Sequence, residues 1–460
     1  MLSVHVVRDG GFHYYVDDLV PGRAEGSLVA GEEAGSWTGG GSGALHLQGI
    51  VGAEEFEQVL EGRDPSSGRR LRQPHGDRSV AGFDLTFGAP KSVSILHLLA
   101  PREIGVEVGS GHQAAVMEAA GYLSRAGVGV RRAHGDGVAL MASTGMVGGQ
   151  FLHRTSRALD PHLHTHLVAA NVAQGVDGSW SAIDSRKLFA HIRAARSVYH
   201  AVLRMELGDR IGASWDLRRS GLGDVVGVDP SMQRLFSQRS AGMDEHDSRH
   251  RGRLSDGPHS KAAFHADRPD KDRTQTVDSL TARWKDRATD LGFDLGDLTK
   301  AVGPRRPRQA EPVIDERRVR QDLSELAFRG RALAHRDLVA VVAAASTSGA
   351  PARSIENVAT VVTMATPRLR QATAWGSDGL ASRASSGTQG DARWPAADLL
   401  RVVEAGQLSE VLSERPQGQK VRASRSELMT EPMRSTERQR ARSPMGRSWH
   451  DRRDRPVLER

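Results

Sequence analysis

Apolar and polar positions along the chain sort into short alternating runs and longer helical periods. Val4, Val6 and Val7 frame a first strand at residues 4–7, and residues 52–61 carry a short helical pattern. The run Phe83-Asp84-Leu85-Thr86-Phe87 predicts a strand, and 91–99 a helix whose first turn is opened by Pro90. Residues 112–125 predict a helix with Val116, Ala119, Ala120 and Leu123 on one face. Strands are expected at 138–143, 147–154 and 163–172, completing one antiparallel sheet. Residues 184–210 predict a long amphipathic helix with Leu188, Ile192, Ala195, Tyr199, Val202 and Leu203 inward. Helical patterning returns at 277–291 and 319–345. The predicted class is α+β, an antiparallel sheet with flanking helices and one exposed face.

Two stretches break the pattern. Residues 243–274 are rich in His, Asp, Arg and Ser, and read as a flexible insert rather than a metal site despite His246, His250, His259 and His265. Beyond about 366 the chain turns to Ser, Arg, Gly, Pro and Glu, the pattern of a low-complexity, disordered basic tail with no identifiable chemistry. The expected organisation is a main domain over 1–300, a small helical region over 301–365 and the tail over 366–460.

A net charge of +7 and a pI near 10.0 suit a polyanionic partner without identifying one. The absence of cysteine excludes disulfides and thiolate metal sites. No apolar run is long enough to span a membrane and no signal-peptide pattern opens the chain, so a cytoplasmic protein without membrane insertion is expected. No phosphate-binding GxxxxGK[ST] motif occurs, so neither ATPase nor helicase activity is expected.

The candidate chemistry lies in Asp160-Pro161-His162-Leu163-His164-Thr165-His166. Side chains alternate along a strand, so His164 and His166 share a face and can share a metal ion. A third ligand comes either from His153 on the preceding strand or from His162, which has the same parity but sits at the strand edge. Asp84 is a carboxylate on an apolar strand, expensive unless partnered. Lys91, Arg154 and Arg157 are basic residues near these elements. The four tyrosines are Tyr14, Tyr15, Tyr122 and Tyr199, of which the last two fall in apolar helical patterns and read as packing residues.

Three blocks, in order, resemble conjugative relaxases of the MobF (TrwC/TraI-like) group. They are Tyr14-Tyr15, the run from Gly82-Phe83-Asp84-Leu85-Thr86-Phe87 to Pro90-Lys91-Ser92, and His153-Arg154-Thr155-Ser156-Arg157 followed by the Asp-Pro-x-Leu-His-Thr-His run. The resemblance covers about residues 1–300. It implies an HUH-type, palm-like fold that nicks and rejoins single-stranded DNA at a plasmid transfer origin through a 5′-phosphotyrosyl intermediate. It places the nucleophile at Tyr14, with Tyr15 as a second candidate, and the metal ligands at His153, His164 and His166. Asp84 becomes the aspartate that orients a ligand histidine or takes the tyrosine proton, and Lys91, Arg154 and Arg157 become DNA contacts. The implied cofactor is a divalent ion, Mg²⁺ or Mn²⁺ in use, with Zn²⁺, Ni²⁺ or Co²⁺ also suited to three imidazoles. Implied partners are transfer-origin DNA, other conjugation proteins and a separate helicase. Many members carry a second tyrosine pair; the matching stretch Glu25-Gly26-Ser27-Leu28 has none, so strand closure would fall to Tyr15 or a second copy. A rolling-circle replication initiator and a non-cutting DNA-binding remnant are the alternative readings.

Overall fold

A five-stranded antiparallel sheet in the order β1-β3-β7-β6-β2 forms the centre of the molecule. The computed structural model describes residues 1–9, 33–73, 79–134, 137–156, 158–218, 220–237, 275–305, 313–364 and 393–404. Tyr14, Tyr15, Arg157 and the insert 243–274 lie outside the described residues. The strands are β1 (Leu2–Arg8), β2 (Ser36–Thr38), β3 (Val80–Gly88), β6 (Gly148–Thr155) and β7 (Pro161–Ala170), with β4 (Gly129–His134) and β5 (Gly137–Ala142) between them in the chain. The architecture is α+β, as the apolar patterning predicts.

Alternation splits the sheet between two cores. Phe83, Leu85 and Phe87 of β3, with Leu163 and Leu167 of β7, belong to the larger one. It is closed by α2 (Lys91–Leu99), α3 (Arg102–Tyr122) and α4 (Ser185–Ile211). Ala81, Val168, Ala170 and Phe151 point the other way and meet Phe56, Val59 and Leu60 of α1 (Ala53–Leu60) in a second, smaller core. The second face, expected to be exposed, is therefore covered at one end, and the histidines lie on its remainder.

Three expectations are corrected. The strand expected at 138–143 forms as β5, but it pairs with β4 in a separate ribbon. Its residues are exposed or half-buried, so it lacks the two apolar faces a central strand needs. The helix expected at 112–125 starts earlier, as α3. Its Gly105 permits a close approach to α2, since a Cβ there would lie 2.5 Å from the His97 carbonyl oxygen. The helical run at 319–345 is interrupted. It divides into α6 (Glu316–Phe328) and α7 (His335–Ala345), separated by β8 (Ala332–Ala334), with Gly330 at φ 61° in the left-handed region that ends a helix.

The helices after residue 313 continue the larger core. Leu338, Val339 and Val342 of α7 join Val198 and Leu203 of α4 in one cluster. Arg204 of α4, only 2% exposed, donates to the carbonyls of Gly221 (2.7 Å), Ala343 (2.8 Å) and Ser346 (2.9 Å). A guanidinium thus caps the carbonyl end of α7, and burial lowers its pKa to about 9. Residues 393–404, expected in the disordered tail, form β9 (Arg393–Pro395), paired with β8, and α9 (Ala396–Glu404). Trp394, Leu399 and Val403 are buried in the main cluster, and this apolar spacing inside a charged stretch is what the compositional reading passed over.

Ending the chain at residue 366 removes those side chains, which costs on the order of a few kcal/mol and lowers Tm by several degrees. A chain ending at 404 keeps them and melts with the full-length protein. Equal Tm for all three by calorimetry would show that β9 and α9 add nothing to the core.

Candidate metal centre

The turn from β6 to β7 sets the site. Ser156 N donates to the Asp160 carbonyl, Asp160 N to Ser156 Oγ (3.1 Å) and Leu159 N to the Ser156 carbonyl. Leu159 takes φ 55°, and its carbonyl accepts from the indole of Trp284 on α5 (Val277–Asp290) at 2.9 Å. The register leaving this turn places His153 directly opposite His164. His166 follows on the same face of β7.

The rings of His153, His164 and His166 have centroids 5.1–5.3 Å apart, and one nitrogen from each lies within 4.8 Å of the others. Three donors about 2.1 Å from one tetrahedral ion are about 3.4 Å apart, so the nitrogens must draw together by no more than roughly 1.4 Å to close on a small divalent cation. The geometry groups His153, and not His162, with His164 and His166. His162 stacks on His164 at 4.6 Å and 23°, and its carbonyl accepts from His164 Nδ1 at 2.9 Å.

Each available hydrogen bond prepares a ligand nitrogen. Asp84 of β3, 3% exposed, accepts from His166 Nδ1 at 2.9 and 3.0 Å, and from Thr86 Oγ1 at 3.2 Å. With Nδ1–H held by the carboxylate, His166 presents Nε2 as a lone pair. The bond to the His162 carbonyl does the same for His164, and burial holds that imidazole well below its ordinary pKa, hence neutral. Three imidazoles, one of them backed by a carboxylate, fit a divalent metal by their chemistry.

On the opposite side of β7, Thr165 Oγ1 meets His112 Nε2 at 2.9 Å, and His112 Nδ1 meets the Tyr199 hydroxyl at 2.8 Å. Burial lowers the His112 pKa to about 3, so the bridge joining β7 to α3 and α4 is neutral. Sequence reasoning missed His112 and Thr165; the available signal was a histidine on an otherwise apolar helix face. Tyr199 and Tyr122 are packing residues as expected, with Tyr122 bonded to His191 at 2.8 Å, and burial pushes both phenols above their ordinary pKa.

Two of the basic candidates are held by protein groups. Lys91 Nζ donates to the Pro161 carbonyl at 2.7 Å, and burial, partly offset by Asp160, lowers its pKa to about 8. It ties α2 to the start of β7 rather than projecting from a helix end. Ser94 Oγ likewise accepts from Leu163 N at 3.1 Å. Arg154 sits at the β-bulge after His153, where its guanidinium pairs with Glu33 and its charge acts on His97 of α2. Neither cation joins the histidine cluster.

The exchange Asp84→Asn keeps size but removes the charge that holds His166 Nδ1–H. Metal affinity by calorimetry is expected to fall about 10–100-fold without loss of Tm. Undiminished affinity would mean that His166 is oriented by other contacts.

Residues 8–291 match the family described as TrwC relaxase. A multifunctional conjugation protein TraI from Escherichia coli is 32% identical over 258 residues, covering 53% of this chain. TraI from Escherichia coli strain K12 is 35% identical over 192 residues, covering 41% of this chain. The chain spans only 14% and 10% of the lengths of these two relatives. A metal-free structure of the conjugative relaxase TrwC in complex with OriT DNA superposes with a TM-score of 0.55 at 28% identity, covering 64% of this chain and 100% of that one. A metal-bound structure of the same complex gives the same figures.

Proposed function

The chain belongs to the TrwC relaxase family, and from that premise we propose that it nicks and rejoins one strand of DNA at a transfer origin through a tyrosyl–phosphate intermediate. The observation that carries this reading is the cluster of His153, His164 and His166 with Asp84 behind His166. That TrwC has been solved with OriT DNA in metal-free and metal-bound forms supports the same reading.

The proposed nucleophile is Tyr14. Its phenol, with an ordinary pKa of about 10, must lose its proton before attack. The phenolate oxygen then bonds to the scissile phosphorus while the bond from phosphorus to the 3′ oxygen breaks. The 3′ oxygen takes up a proton, leaving a 3′-hydroxyl and a 5′-phosphotyrosyl strand, and the reverse reaction rejoins them. Asp84 fixes the tautomer of His166, and the neutral His112 bridge holds β7 in place behind the site. His153, His164 and His166 would hold the divalent ion, Mg²⁺ or Mn²⁺ in use, which when bound withdraws charge from a non-bridging phosphate oxygen. Arg157, between β6 and β7 in sequence, is the basic residue retained as a phosphate contact; Lys91 and Arg154 are already engaged by protein groups.

Strand closure is assigned to Tyr15 or a second copy, and unwinding to a separate helicase. The relaxase domain is taken to span 1–300. No described helix is long and apolar enough to cross a membrane.

The test mixes the protein with single-stranded oligonucleotides tiling the DNA beside its gene, with Mn²⁺ or with EDTA. Mass spectrometry is expected to find a Mn²⁺-dependent adduct on Tyr14. DNA binding without an adduct on any origin-spanning tile would overturn the cutting reading in favour of a binding protein.

A further inference from the structure

A second basic site lies away from the histidines. Arg193 of α4, Arg331 before β8, Arg336 in the first turn of α7 and Arg393 at the start of β9 line one cavity of about 420 Å³. Leu333, Ala332 and Asp337 complete the lining. The Asp337 carboxylate accepts from Ala334 N at 2.9 Å, which commits one of its oxygens to the start of α7. Arg193, Arg331 and Arg393 are exposed, and none of them forms an ion pair with a described residue. Three exposed guanidiniums that form no ion pair with a described residue leave an excess of positive charge around one hollow. Such self-repulsion costs stability unless an anion enters.

The lining states the class of that anion. Guanidinium forks match phosphate oxygens two at a time. No aromatic side chain lines the cavity, so a nucleobase has nothing to stack on. The hollow opens to solvent among exposed arginines, which suits a chain passing across it better than an enclosed small molecule. Three of its four arginines follow residue 291, where the family match ends. The cavity borders α4 and α7 in the helix layer, whereas the metal-site histidines occupy the sheet face turned away from that layer.

We propose that this cavity binds backbone phosphates of the DNA strand outside the nicked segment, adding a sequence-independent grip to the relaxase core. The identity of the ligand rests on the DNA-strand reading above; the presence of a phosphate site does not.

The test measures anisotropy of labelled oligo(dT) of increasing length against the full chain, over a salt series. The triple variant Arg193→Ala/Arg331→Ala/Arg393→Ala changes exposed side chains, relieves their mutual repulsion and is expected to melt no lower than wild type. It should bind long strands about tenfold more weakly and lower the salt slope by about two, the loss of three phosphate contacts on a single strand. Short strands should bind both proteins equally. Unchanged affinity and slope for long strands overturns the proposal. A wild-type site that binds inorganic pyrophosphate, with strand binding indifferent to the three arginines, overturns it in favour of a free-anion site. Adduct formation on a short origin strand separates the two readings. If wild type forms no adduct while long-strand binding still depends on the arginines, the nicking reading fails and the cavity stands. If adducts form and the variant binds as wild type does, the reverse holds.

Discussion

Tyr14→Phe is expected to abolish the covalent protein–DNA product while leaving binding of the uncut strand in place. The exchange removes a single oxygen, the one asked to bond to phosphorus, and keeps the ring. Losing the attacking atom costs on the order of a thousandfold or more in rate. The chain has four tyrosines. Tyr122 and Tyr199 are buried in the helix layer, bonded to His191 and His112, with phenols raised above their ordinary pKa. That leaves Tyr15 as the competitor. Denaturing gels of Tyr14→Phe, Tyr15→Phe and the double variant, each mixed with a cleavable origin strand, separate the two. Full adduct yield in Tyr14→Phe and none in Tyr15→Phe would move the nucleophile by one residue. Full yield in the double variant would remove tyrosine chemistry from the proposal.

How far the sequence spoke depends on the range of each interaction. The parity that puts His164 and His166 on one face is a property of a single strand and was legible at once. The third member of the cluster was not legible from the strand pattern alone, because His153 reaches His164 only through the register between two strands. That register is set by the turn at 156–160 and the bulge after His153. Asp84 stood out as a charge on an apolar strand, and its partner His166 lies across the β3–β7 pairing. The His112 bridge unites three elements distant in sequence, and no periodicity reports such a contact. Composition misjudged 393–404, since one short amphipathic helix is diluted by the charged residues around it. Lys91 and Arg154 illustrate a further limit. A cation beside a motif reads the same whether it meets solvent, a phosphate or, as here, a carbonyl and a carboxylate.

His164→Ala is expected to lower divalent-metal affinity about a hundredfold or more, since each ligand carries a share of a binding free energy that runs to about 10 kcal/mol or above for full protein sites. His164 is a proposed ligand held in place: its ring lies 5.3 Å from His153 and 5.1 Å from His166, and its Nδ1 donates to the His162 carbonyl. Its replacement leaves only His153 and His166, on different strands, as imidazole donors of this cluster. Calorimetry with Mn²⁺ reads this directly, without DNA and without turnover. His162→Ala is the matched control. It removes a ring stacked on His164 but keeps the backbone carbonyl that orients it, so its effect should be small by comparison. Equal losses in the two variants would make His162 a ligand in its own right. Unchanged affinity in His164→Ala would place the ion elsewhere, and the hydrogen-bonded cluster would then be only a polar link between strands. A metal defect in His164→Ala with strand binding retained would instead separate the ion from DNA recognition and assign it to the chemistry at phosphorus.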